Sequence, residues 1–192
     1  MNTKKPSAQK KQLHWVVTVF AATILISAFF SLLSSLIFDS AGLIAAFLVL
    51  LLIVLVGILF DIIGVAVTAA DETPFHAMAL RRVPEAKEAI RLLRNAARVG
   101  SVCNDVIGYI CGVISGAAAA VISANLIRAT GFSQKTVISV LLSALVAGVT
   151  VGGKAAGKTI AIKNSTAIVR ITAKIIYTIK IIPRKIFGRG KN

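Results

Sequence analysis

The sequence predicts an all-α integral membrane protein with about four transmembrane helices, a cytoplasmic helical hairpin and a basic juxtamembrane C-terminal helix. Apolar residues make up 57% of the 192 residues and charged residues only 15%, whereas soluble domains average about 45–50% and about 25%. Four apolar runs are close to, or longer than, the stretch of chain that crosses a bilayer. Lysine and arginine cluster between and after these runs, which is typical of the loops of membrane proteins.

The four spans are predicted where charged residues are absent. Residues 13–38 contain no Asp, Glu, Lys or Arg, and this run exceeds the roughly 20 residues that a spanning helix needs. The other spans are predicted at 40–60, with a weaker extension through 62–70, at 106–127 and at 136–153, the last being the shortest. The organisation is then a basic N-tail at 1–12, a transmembrane domain at 13–158 with a helical insert at about 71–100, and a basic amphipathic tail at 159–192.

The distribution of cations predicts the orientation. The N-tail carries four Lys or Arg residues, the segment from Asp71 to Gly100 carries six, and the chain from Lys154 onward carries ten. Four spans place these three segments on one side of the membrane and leave two cations on the other. Because basic loops stay inside, we expect a multi-pass protein of the cell membrane with both termini in the cytoplasm.

The insert and the tail carry helical patterns. Pro84 suits a first helical position, Glu85 and Glu88 the first turn, and the later arginines a C-terminus, which predicts the hairpin. In the tail, isoleucines recur three or four residues apart, at Ile168, Ile171, Ile175, Ile179 and Ile182. Lys163, Arg170 and Lys174 fall on another face, which predicts a basic amphipathic helix at the lipid surface, although the isoleucine content also suits a strand.

The bilayer, with its anionic inner leaflet, is therefore the expected partner of the 22 Lys and Arg residues. Nucleic acid is not expected, because aromatic residues make up only 6% of the chain and offer few stacking platforms. Small residues form two rows at four-residue spacing, Gly108, Gly112, Gly116 and Ala120 in one and Gly148 and Gly152 in the other. Such rows let helices approach closely, and both packing within the chain and a homodimer face fit them.

Two acids, Asp61 late in span two and Asp105 at the start of span three, lie at or near membrane depth. Ionisable residues there often mark an ion path, and helix capping or pairing with a cation near the interface is the alternative. Ser101 and Asn104 add the oxygen ligands that Mg²⁺ prefers. Asp61, Ser101, Asn104 and Asp105 are thus the candidate metal ligands, with Mg²⁺ as a transported ion and no resident cofactor.

Residues 152–159 read GGKAAGKT and fit the phosphate-binding pattern G-x-x-x-x-G-K-[ST]. That loop needs a strand before it and a helix after it, whereas a membrane span leads into this one. No Ser, His and Asp set offers a nucleophile either, so we expect no enzyme.

Two stretches carry a resemblance to a known family. They are ADETPFHAMALRRVPEAKEAIRLLRNAARVGS, residues 70–101, and GGKAAGKTIAIKNSTAIV, residues 152–169. The first resembles the juxtamembrane helices, ending in Leu-Leu-x-Asn-Pro-x-Arg, of the CorC/cyclin-M magnesium and cobalt efflux family. The second resembles the Gly-Glu-x-x-Pro-Lys-x-x-Ala stretch after that family's last span. The resemblance covers roughly residues 43–182 and implies the transmembrane fold of a divalent-cation transporter.

The departures from that family bear on function. Lys154 stands where the family has a glutamate near its cation site, Gly157 where it has proline, and Gly64 where a glutamate is common. The 192 residues do not include the family's paired nucleotide-binding domains. The leading hypothesis is a divalent-cation transporter. The alternative is a non-transporting membrane protein that binds a partner or anionic lipid through its basic cytoplasmic surface.

Overall fold

The computed structural model describes residues 6–40, 42–130 and 135–187, and every secondary-structure element within these ranges is helical. The predicted all-α class is therefore confirmed for these residues. Lys4 and Lys5 of the basic N-tail and Arg189 and Lys191 of the C-terminal tail lie outside them. The helices are α1 (Pro6–Ser40), α2 (Leu43–Ala69), α3 (Thr73–Leu80), α4 (Ala86–Arg94), α5 (Ala96–Gly100), a π-helical segment (Ser101–Ile107), α6 (Gly108–Thr130), α7 (Lys135–Lys163) and α8 (Ser165–Phe187).

Three helices in the described part of the chain are long and apolar enough to cross a membrane. They are α2, the continuous helix Ala96–Ala129 that joins α5, the π-helical segment and α6, and Thr136–Lys163 of α7. The third and fourth predicted spans lie within the second and third of these helices, and α2 takes up the second predicted span from Leu43 onward. The first predicted span lies in α1, whose described apolar stretch, Trp15–Phe29, is shorter than a span.

The chain forms two compact units. The first unit consists of Met1–Val56 and Tyr109–Val149. Its buried side chains come from α2 and α6, with Leu50, Ile114 and Ile122 among the largest. The Ser123 hydroxyl donates to the carbonyl of Ala120 at 2.8 Å and lies 3.4 Å from the Ser139 hydroxyl of α7. A hydrogen bond from the hydroxyl to a backbone carbonyl of its own helix satisfies the buried hydroxyl without a further partner.

The second unit consists of Gly57–Gly108 and Thr150–Asn192. The α4 helix packs against α3 and α8. The core is formed by Ala66, Val67, Phe75, Ala89, Leu93, Ala161, Val169 and Ala173. Phe75 is the largest fully buried side chain of the described residues. Small alanines from α4, α7 and α8 surround it, and they allow the helices to approach closely around one aromatic ring.

The α3 helix ends in a left-handed turn. Arg82 has a φ of 57°, its N–H donates to the carbonyl of Ala79, and the N–H of Val83 donates to that of Met78. These are the two hydrogen bonds of a Schellman motif. The turn is followed by Pro84, and α4 begins at Ala86, two residues later than the sequence pattern predicted, with Glu88 in its first turn.

The start of α3 is stabilised by Asp71. Its Oδ1 accepts from the Thr73 N–H at 3.1 Å and from the Thr73 hydroxyl at 3.0 Å. These hydrogen bonds, the backbone one foremost, hold the pKa of Asp71 below its ordinary value of 3.8. Because the carboxylate is favoured in the folded state, its contribution is complete above the unfolded pKa and is lost as the pH falls through the folded pKa.

We therefore expect Asp71→Ala to lower the thermal midpoint of unfolding at neutral pH, and the gap from wild type to close below about pH 4. The measurement is the thermal midpoint of both proteins in one detergent across the acid range. Asp71→Asn is the matched control, since it keeps an acceptor for the Thr73 N–H but has no carboxyl to titrate. A gap of the same size at neutral and acid pH would show that the carboxylate charge plays no part.

Candidate functional site

The contact between α2 and the π-helical segment lies in the second unit and contains one polar candidate, Asn104. Gly64 of α2 is buried, and a Cβ placed on it would overlap the side-chain oxygen of Asn104 and come within 3.0 Å of the Cβ of Cys103. The absence of a side chain at position 64 therefore admits Asn104 to the α2 backbone. π-Helical turns inside α-helices occur frequently at functional sites, which adds weight to this contact.

The side-chain oxygen of Asn104 is buried and accepts no hydrogen bond from any residue that the structure describes. An unsatisfied buried acceptor costs about 1–3 kcal/mol, so this atom calls for an explanation. An amide oxygen is a ligand for hard cations such as Mg²⁺ and Ca²⁺. The Asn104 side chain therefore offers a buried, unpaired oxygen of the chemical type that binds hard cations.

Asp61 is paired with Lys154 across the contact of α2 and α7. The Lys154 Nζ lies 3.7 Å from the Asp61 Oδ1, with the two side chains 28% and 17% exposed. The same Nζ is 3.2 Å from the position that a Cβ would take on Gly108, the first residue of α6. The ammonium thus lies between the Asp61 carboxylate and the end of the π-helical segment, and it supplies the positive charge that the carboxylate requires.

Two glycines of α7 bring Lys154 close to α2. A Cβ on Gly153 would overlap the Ile58 side chain, and one on Gly157 would lie 2.7 Å from the Ile62 Cγ1. Gly153 and Gly157 are one turn apart, as are Ile58 and Ile62, so the two helices meet over a full turn. This close approach carries Lys154 to Asp61.

The other two candidate ligands have different surroundings. Ser101 and Asp105 are both exposed on the π-helical segment, whereas Asp61 and Asn104 are partly buried. Among the described residues, no group of three or more His, Cys, Asp and Glu side chains is close enough to hold a metal ion. A site that uses all four candidate residues remains a prediction.

The phosphate-loop pattern at 152–159 is helical over its whole length, within α7. Its backbone N–H groups belong to the hydrogen-bond ladder of the helix, whereas a phosphate-binding loop directs several of them at its ligand. The pattern has no loop geometry here.

Two ion pairs fasten α4 to α8, and the sequence did not predict them. Glu85 Oε1 lies 3.6 Å from Arg170 Nε, and Glu88 Oε2 lies 2.6 Å from Lys180 Nζ. The sequence pattern assigned both glutamates to the helix dipole. One signal in the sequence could have suggested the pairing. Glu85 and Glu88 are three residues apart, and the later basic helix contains no acidic residues to pair with its own cations.

The rows of small residues differ in what they contact. Gly108 lies against Lys154, whereas a Cβ on Gly112, Gly116, Gly148 or Gly152 would meet nothing within 4 Å. Gly112 and Gly116 are exposed on α6. Packing within the described chain therefore does not account for these four glycines.

No family model matches the chain, and neither a curated protein nor a solved structure does. The resemblance to the CorC/cyclin-M family accordingly rests on the two quoted stretches.

Proposed function

We propose that this chain is a multi-pass membrane protein that does not carry divalent cations and acts instead by binding through the basic surface of its second unit. The observation that carries the proposal is the Lys154 ammonium beside Asp61. A cation path needs acids that are free to receive the ion, and here the chain's own cation already accompanies the partly buried acid. The charge requirement of Asp61 is met without an ion.

The energetic argument is electrostatic. Two unit charges about 4 Å apart interact by about 4 kcal/mol at an effective dielectric constant of 20. A divalent ion at Asp61 would therefore meet a repulsion of about 8 kcal/mol from a neighbouring ammonium. Such an ion binds only where Lys154 moves away.

The proposed topology has four spans, with α1 as the first and both termini in the cytoplasm. The twenty cations of the N-tail, the middle segment and the C-tail support it through the positive-inside rule, and the same rule favours a cytoplasmic position for α3 and α4. The exposed row of Gly112, Gly116 and Ala120 supports association of two copies.

Divalent-cation transport is the second candidate, and the buried oxygen of Asn104 favours it. This oxygen has no donor among the described residues, and an amide oxygen is a ligand that Mg²⁺ accepts. On this hypothesis Asn104 and Asp61 bind the ion, and Lys154 competes with it for the carboxylate.

Flux of Mg²⁺ into proteoliposomes loaded with a magnesium-sensitive dye distinguishes the two candidates. We expect wild-type protein to give no flux above empty vesicles, because the ammonium repels the ion. Folded state is checked by a monodisperse gel-filtration profile before reconstitution. Wild-type flux that disappears in Asp61→Ala and Asp105→Ala would overturn the proposal and establish the transporter.

A further inference from the structure

The α8 helix has apolar residues on two opposite faces. Val169 and Ala173 are fully buried in the core of the second unit. Ile171, Ile175 and Ile179 form a row one turn apart, and they are 59%, 54% and 61% exposed. A helix that only packed on a soluble core would have polar residues on this outer face. The row has no occupant within the described chain.

The position of α8 in the chain points to the bilayer. The helix begins at Ser165, and only Asn164 separates it from α7, whose Thr136–Lys163 stretch is long and apolar enough to cross a membrane. Backbone hydrogen bonds link Asn164 to Ile160 before it and Ile168 after it. A helix that starts where a span ends starts at the membrane surface.

The cations around the row favour an anionic surface. Lys174 follows Ile171 by three residues, so it borders the row, and both Lys174 and Lys163 are exposed. Arg170 pairs with Glu85, the residue before α4, and Lys180 pairs with Glu88 of α4. Burial of Val169 and Ala173 on the opposite face leaves the isoleucine row outward. A second copy placed on the row would bring like charges together, whereas anionic lipid would neutralise them.

We propose that α8 lies in the plane of the anionic inner leaflet, with Ile171, Ile175 and Ile179 inserted at the boundary of headgroups and acyl chains. Helices of this composition insert about 5–10 Å deep. The inference deepens the proposed binding function by naming its ligand, an anionic lipid surface. It is tested by the depth of side chains rather than by ion flux, so either proposal can fail alone.

The experiment uses tryptophan as a depth probe in the full chain. Trp15 is the chain's single tryptophan, so Trp15→Phe removes the native tryptophan fluorescence. One new tryptophan is then introduced at a time. Ile175→Trp probes the row, Leu145→Trp is the lipid-facing reference, and Tyr177→Trp is the matched control on the other side of α8. Each protein is reconstituted in phosphatidylglycerol-containing bilayers, with and without bromine on the acyl chains.

We expect bromine to quench Ile175→Trp severalfold more than Tyr177→Trp and to an extent approaching Leu145→Trp. Lys174→Glu added to the Ile175→Trp protein is expected to reduce the quenching in anionic bilayers. Quenching of Ile175→Trp no greater than that of Tyr177→Trp would overturn the insertion, and a blue-shifted but unquenched emission would indicate a protein on the row. The anionic preference would be overturned if Ile175→Trp were quenched equally in phosphatidylcholine and in phosphatidylglycerol-containing bilayers, and if Lys174→Glu did not change that quenching.

Discussion

Replacement of Lys154 by methionine is expected to destabilise the protein more than replacement of Lys154 and Asp61 together. The single change removes the ammonium 3.7 Å from the Asp61 carboxylate and leaves a partly buried charge without its partner. Breaking a fully buried pair in this way costs about 3–5 kcal/mol. The 28% and 17% exposure of the two side chains lets water screen the charges, so we expect a loss of about 1–3 kcal/mol.

The measurement is a double-mutant cycle on the free energy of unfolding in one detergent, using Lys154→Met, Asp61→Asn and both changes together. We expect a coupling of about 1–2 kcal/mol, within the range for residues in direct contact. Lys158→Met is the matched control: Lys158 lies one turn further along α7, is exposed, and takes part in none of the four ion pairs of the described residues. Additive effects of the two single changes would mean that the pair contributes nothing.

The same variant separates the two functional candidates. Without the ammonium, no cation at position 154 competes with a divalent ion for the Asp61 carboxylate. The buried Asn104 oxygen is unchanged by this substitution. If Lys154 alone excludes divalent ions, Mg²⁺ will raise the thermal midpoint of Lys154→Met but not that of wild type. Lys154→Met in which Asp61 is also replaced by asparagine should lose the response.

The course of the long helices was predictable from the sequence because hydropathy is a local property. The runs at 106–127 and 136–153 lie within α6 with its preceding π-helical turn and within α7, and α2 begins at Leu43, three residues into the run at 40–60. The ends were less predictable. The α7 helix continues past its apolar run to Lys163, where Ala161 is buried in the second unit, whereas α2 continues to Ala69 along the weaker apolar stretch that the sequence predicted.

The candidate site was only partly predictable, because its geometry depends on contacts between distant segments. The pattern identified Asp61 and Asn104 and named Lys154 as an obstacle to a cation, but it could not place the ammonium beside Asp61, since 93 positions separate the two residues. Glycine spacing was likewise ambiguous: Gly152 meets nothing within 4 Å, whereas Gly153, one position later, lies against Ile58. One step along a helix turns a residue by about 100°, so only tertiary structure decides which glycine is in the contact.

Replacement of Gly64 by alanine is expected to destabilise the contact between α2 and the π-helical segment. The new methyl group would overlap the Asn104 oxygen, lie 2.9 Å from the Asn104 Cγ and lie 3.0 Å from the Cys103 Cβ. Rotation of the amide group leaves the Asn104 Cγ in place, and the Cys103 Cβ is carried by the backbone, so the Asn104 side chain or the backbone must shift. Overpacking of this kind costs about 1–3 kcal/mol, which outweighs the roughly 1 kcal/mol that alanine gains over glycine inside a helix.

Gly152→Ala is the control, because a Cβ there meets nothing within 4 Å and the helix propensity alone should stabilise it. The second test adds Asn104→Ala to Gly64→Ala. This removes the oxygen and Cγ that the methyl group meets and leaves only the Cys103 contact, so we expect recovery of half or more of the lost stability. Asn104→Ala alone also removes a buried acceptor that has no donor among the described residues; it should therefore be neutral or stabilising without Mg²⁺. A marked loss of stability in that variant in the absence of Mg²⁺ would mean that the Asn104 oxygen accepts a hydrogen bond from a donor in the folded protein.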